Sequence, residues 1–196
     1  MPRLRESGRR PKLVLAAIAL VVVIIGAVVI GWLATRDDTA SETASTTTSS
    51  VDPEVAQAQT RLSDLLPAGY PQASCEQIEP ADGDAAAMSC RQNTDAGGPS
   101  SATFTLTKEQ AALGSALRDV VNGSTIAECP GRIQSPGPWR RNATPEQVSG
   151  TLFCGYQGST PVVAWTDDEK LMLGEVRGRT TGPSLIDLYT WWSSHS

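Results

Sequence analysis

The chain has 196 residues, a formal net charge of −5, four cysteines and one histidine. From Pro53 onward it carries 10 Lys and Arg against 16 Asp and Glu, near −6, and its basic residues cluster only at Arg140-Arg141 and at Arg177 with Arg179. That balance argues against a nucleic-acid partner, which needs a concentrated cationic face. Residues 53–196 suffice for one domain with a real core and hardly for two.

Residues 13–33 form an apolar run without a charged side chain. At about 1.5 Å per residue such a helix spans roughly 30 Å, the thickness of a bilayer core, so the run predicts a single transmembrane helix. Residues 1–12 carry five basic side chains against Glu6, net +4, which predicts a cytoplasmic tail and export of the chain beyond the span. The competing reading is a cleaved secretory signal. Its apolar region usually runs about 7 to 15 residues before a small-residue cleavage site, whereas cuts after Ala34, Ala40 or Ala44 place Trp32, Asp38 or Glu42 at the third residue before the bond. Residues 34–52 are dominated by Thr, Ser and Ala without apolar periodicity and predict a disordered linker.

The exported domain, 53–196, opens with Asp52 as a helix cap and Pro53 at the first helical position. Val55, Ala58, Leu62, Leu65 and Leu66 supply an apolar stripe. Residues 67–80 predict a loop containing Cys75. Segments 87–92 and 102–107 predict a hairpin, the second alternating Ala102, Phe104 and Leu106 on one face. Thr107 and Gln110 have capping-box spacing ahead of Leu113, Leu117, Val120 and Val121, which predicts a second helix ending at Asn122-Gly123. Residues 124–138 predict an irregular Gly/Pro-rich stretch with Cys129, and Thr144-Pro-Glu-Gln a capped first turn. Segments 151–156, 161–166 and 171–176, joined by short polar turns, predict an antiparallel meander. Leu185, Leu188, Tyr189 and Trp192 predict a closing helix. The expected fold class is α+β: a transmembrane helix, a linker, and an antiparallel sheet of about five strands packed by three helices and two disulfides.

Cys75, Cys90, Cys129 and Cys154 all fall in the exported part, and an even count in an oxidising compartment predicts two disulfides with three possible connectivities. Sequential pairing is preferred because each bond then ties a loop to the strand after it. Zinc is disfavoured by the lack of CxxC spacing and by a lone histidine, His195. No catalytic residue, metal site or cofactor is expected. His195, beside Ser193 and Ser194, reads as a solvated terminal residue rather than a nucleophile's base. Asp167, Asp168 and Glu169 read as a solvated turn rather than a cation site. The candidate binding patch is Trp139 with Arg140 and Arg141, since Arg stacks on indole and takes carboxylate or phosphate in a forked geometry. The competing reading makes the tryptophans core, with the arginines lying over it.

The stretch from Ser135 to Leu173, SPGPWRRNATPEQVSGTLFCGYQGSTPVVAWTDDEKLML, the ending LYTWWSSHS, and LLPAGYP with Cys75 upstream resemble the exported domain of mycobacterial-type actinobacterial single-pass membrane proteins. Similar domains form the outer part of some receptor-like serine/threonine kinases. The resemblance implies a sensor-like or interaction domain of the cell envelope, with envelope proteins or cell-wall components as partners. Ahead of the span this chain has only residues 1–12, so no kinase is expected. The expected function is non-enzymatic binding at the outer face of the cytoplasmic membrane. An envelope-polymer-acting enzyme and a passive structural role are the alternatives.

Overall fold

The computed structural model describes residues 52–71 and 73–196. The tail, the expected span at 13–33 and the linker up to residue 51 lie outside the described residues. Among the described residues no helix is long and apolar enough to cross a membrane.

Among the described residues three helices, α1 (Pro53–Leu65), α2 (Gln110–Asn122) and α3 (Leu185–His195), pack on eight strands: β1 (Cys75–Ile78), β2 (Asp84–Cys90), β3 (Ser101–Thr107), β4 (Thr125–Ile126), β5 (Gly137–Trp139), β6 (Gly150–Gln157), β7 (Thr160–Asp167) and β8 (Met172–Arg177). The strands run β1-β2-β3-β8-β7-β6-β4 in one sheet, every pairing antiparallel, and β5 shares the outer edge of β6 with β4. The expected architecture is corrected accordingly: eight strands replace about five. The three additions are β1, inside the expected loop 67–80, and β4 and β5, inside the expected irregular stretch 124–138. None of them has an apolar alternation to announce it, because each is short and lies at a sheet edge.

Side chains alternate across the sheet, and both faces are covered. Phe104, Leu106, Leu152, Val163, Trp165 and Val176 point to the face covered by α1 and α3, where Leu62, Leu188, Trp191 and Trp192 complete the main core. Phe153, Ala164 and Leu173 point to the other face, covered by Leu113 and Leu117 of α2. The close fit is visible at Gly174, which pairs with Trp165 across β7 and β8. A Cβ there would lie 2.5 Å from Cζ2 of that indole, so only glycine lets the ring lie flat on the strand.

Two local expectations change. Thr107 does not cap α2. It is the last residue of β3, and its hydroxyl lies within hydrogen-bond distance of the carbonyls of Glu109 and Leu171. The turn expected at Thr144 stays two tight turns, Thr144 N–H to Arg141 O and Gln147 N–H to Thr144 O, without a helix. In α1 the stripe is narrower than its spacing suggests: Leu62 is fully buried while Val55 is exposed. The disulfides are Cys75–Cys90, which joins directly opposed residues of β1 and β2, and Cys129–Cys154, which ties the segment before β5 to β6. Between β4 and β5 the edge of β6 is completed by a side chain, as the Ser135 hydroxyl accepts from Cys154 N–H at 2.7 Å and donates to Cys154 O at 2.9 Å.

Candidate functional site

Where β5 and β6 meet the last turns of α3, a cleft of about 290 Å³ opens, lined by Trp139, Arg140, Arg141, Asn142, Leu152, Tyr189, Trp192 and Ser193 among others. All three residues of the sequence patch are therefore on one cleft, together with α3 side chains some fifty positions downstream. Their roles differ sharply.

Trp139 is buried, and its indole N–H donates to Thr166 O at 2.8 Å. That bond depends on Gly150, which pairs with Trp139 across β5 and β6. A Cβ at Gly150 would overlap Thr166 O, so the missing side chain is what lets this carbonyl approach the strand. Trp192 meets Trp139 edge-on at 5.6 Å between ring centroids, and Tyr189 and Trp165 flank Trp192 at 5.6 and 6.4 Å. The edge-to-face Trp139–Trp192 pair is favourable beyond its buried area. The cleft thus has an aromatic floor continuous with the core. The indole N–H of Trp192 is buried and has no acceptor among the described residues.

Arg141 is half-buried. Its guanidinium carbon lies 5.0 Å from the Trp139 ring centroid, and Nη2 donates to Asp167 Oδ2 at 2.5 Å. Asp167 also receives Lys170 Nζ at 3.2 Å. A buried carboxylate is stable only when its charge is met, and here two cations meet it. The solvated turn read from Asp167-Asp168-Glu169 is corrected at its first residue. Asp167 ends β7, is 3% exposed, and anchors Arg141. Asp168 accepts from the Thr166 hydroxyl at 2.8 Å. Arg140, in contrast, is exposed and forms no ion pair among the described residues. The two adjacent arginines divide the work: Arg141 builds the cleft wall, and Arg140 stands free on its rim.

His195 is not a solvated end. Its ring stacks on Trp191 at 4.5 Å and 22°, with Nδ1 2.7 Å from Trp191 O and Nε2 3.0 Å from Asp95 Oδ2. Ser194 Oγ lies 3.0 Å from Nδ1, so Ser194, His195 and Asp95 stand in a row that resembles a hydrolase triad. The wiring does not serve a nucleophile. The Ser194 hydroxyl donates to Trp191 O at 2.8 Å, and Nδ1 faces the same carbonyl, an acceptor that calls for N–H there rather than a free base. The row is a clasp fastening the end of α3 to the β2–β3 connection. Among the described residues no group of three or more His, Cys, Asp or Glu side chains is placed to hold a metal ion.

Trp139 and Arg140-Arg141 were legible as a patch, and Trp192 only as a position of the closing helix. Tyr189 and Asp167 were not, since the first read only as a core position and the second as a turn. No family model, no curated protein and no solved structure matches this chain.

Proposed function

We propose that this chain is a non-catalytic binding module of the bacterial cell envelope, held at the outer face of the cytoplasmic membrane by its apolar stretch 13–33, and that the Trp139–Trp192 cleft is its contact site for an anionic glycan of the wall. The observation that carries this reading is the split between the two arginines. One cation already neutralised by Asp167 shapes an aromatic floor, and a second, unpaired one waits at the rim. Tyr189, half-buried at the cleft, is the aromatic side chain that a sugar ring can reach, and a carboxylate or phosphate takes the free guanidinium in a forked pair. The four cysteines, joined as two disulfides, support an oxidising compartment. The cationic residues ahead of the apolar stretch support export of the domain.

The test is co-sedimentation of the full chain, in detergent, with purified wall sacculi. Binding is expected, weakened about tenfold by Arg140→Ala, the scale of one charge-assisted pair. Equal retention of the parent and the variant would overturn the assignment of Arg140. The opposing hydrolase reading is tested in the same assay at the Ser194–His195–Asp95 row, whose hydrogen bonds already fasten the end of α3. Release of soluble fragments from sacculi by the parent chain and not by Ser194→Ala would establish it instead.

A further inference from the structure

The opposite edge of the sheet carries a second surface. β1 pairs with β2 on one side only, and among the described residues nothing pairs with its outer edge. Glu76, Gln77 and Ile78 are all exposed. The Cys75–Cys90 bond pins this short strand to β2, so its free N–H and C=O groups are held in register for another strand. Beside it, between α1 and β1, lies a pocket of about 330 Å³ lined by Ala56, Gln59, Thr60, Ser63 and Gln77.

This pocket presents two hydroxyls and the side-chain amides of Gln59 and Gln77, each amide with an acceptor and a donor end. Thr60 and Ser63 donate their hydroxyl protons into the helix, to Ala56 O and Gln59 O, which leaves oxygen lone pairs outward. Gln59 is 6% exposed, and its Oε1 is buried with no partner among the described residues. A buried acceptor without a donor is costly, and Gln59 Oε1 is such an atom on α1 beside this edge. Glu76 on the edge, and Glu79 and Asp82 in the turn after it, are exposed and acidic, with Arg91 at the far end donating to Ala73 O. A second copy of this chain pairing two-fold at β1 would set Glu76 of each copy close to the other's acids, which like-charge repulsion opposes.

We propose that β1 is a docking edge for an extended, basic segment of a partner protein. The segment adds as a ninth strand and seats a Lys or Arg side chain in the pocket between α1 and β1. Its alternate side chains face Glu76 and Ile78 on the other side of the sheet. This surface is independent of the Trp139–Trp192 cleft, which lies at the β5–β6 end.

The experiment uses the full chain in detergent with two fluorescein-labelled decapeptides, one alternating lysine and valine, the other glutamate and valine. The lysine peptide is expected to bind and to slow amide exchange at residues 76–78, and the glutamate peptide to do neither. Joint Glu76→Lys and Glu79→Lys substitution, both at exposed sites, is expected to weaken the lysine peptide about tenfold. Gln59→Leu, which removes the unpartnered acceptor without touching the edge charges, is expected to weaken it as well. Comparison of the two peptides on the parent chain decides the question even where a variant is unstable. Equal binding of both peptides, protection elsewhere than β1, or binding unaltered in both variants would overturn the proposal. So would protection at β1 that grows with protein concentration alone, which would make a second copy the occupant.

Discussion

Asp167 holds Arg141 at 2.5 Å, and by doing so holds a guanidinium over the Trp139 indole. The pair joins the end of β7 to the segment after β5, and the wall of the cleft exists because of it. Asp167→Asn leaves the shape and removes the charge that two cations share. We expect a loss of about 1–3 kcal/mol, below that of a fully buried pair because Arg141 and Lys170 keep contact with water, measured by urea unfolding. Arg140→Ala, at an exposed and unpaired side chain, is expected to change stability by less than about 0.5 kcal/mol in the same assay.

Gly150→Ala tests how the aromatic floor is set. The added methyl meets Thr166 O, so the strand must shift away from the carbonyl that the Trp139 N–H uses. A destabilisation of about 1–3 kcal/mol is expected, with a change in tryptophan emission that a loss of stability elsewhere in the sheet would not bring.

Ser135→Ala removes the side chain that stands in for a strand between β4 and β5. Cys154 N–H is then buried without an acceptor, while Cys154 O keeps its bond from Ala127 N–H at 3.0 Å. The expected cost is about 1–2 kcal/mol by thermal or urea unfolding. Amide exchange is expected to quicken at Cys154 first.

Much of this was readable from residue order, and the remainder was hidden for physical reasons. The meander β6–β8 and the helix α3 were legible because apolar alternation and helical spacing recur over many residues with short polar turns between them. β1, β4 and β5 were not, because a two- to four-residue edge strand half in water needs no apolar pattern. The patch at Trp139 was legible from three adjacent residues. Its electrostatics were not, because Asp167 reaches Arg141 across 26 positions and only the β5–β6–β7 register brings them together. Asp167 looked like a turn acid since two more acids come directly after it. Pairing with Met172 makes it a strand residue instead.

Two carboxylates give stability opposite dependences on pH. Hydrogen bonds from the Ser184 side chain and then its backbone hold Asp187 below the usual carboxylate range. Its contribution to the α3 cap is therefore present above an unfolded value of about 3.9 and is lost as the pH falls. Burial, the largest effect at Asp84, raises its carboxyl above that range despite the hydrogen bond at Ala81 and the Lys108 charge. It therefore favours the fold when protonated and disfavours it as the pH rises through its titration. Asp187→Asn is expected to flatten the acid limb of the stability profile and Asp84→Asn to steepen it, both read by unfolding at a series of pH values.

The central claim is that the Trp139–Trp192 cleft takes an anionic wall glycan through Arg140. The most direct measurement is a fluorescence titration of the full chain in detergent with a soluble muropeptide carrying free carboxylates, excited at its tryptophans. We expect saturable quenching, shifted about tenfold to higher concentration in Arg140→Ala and largely restored in Arg140→Lys. Absence of quenching in the parent chain, or superimposable curves for parent and Arg140→Ala, would contradict the claim.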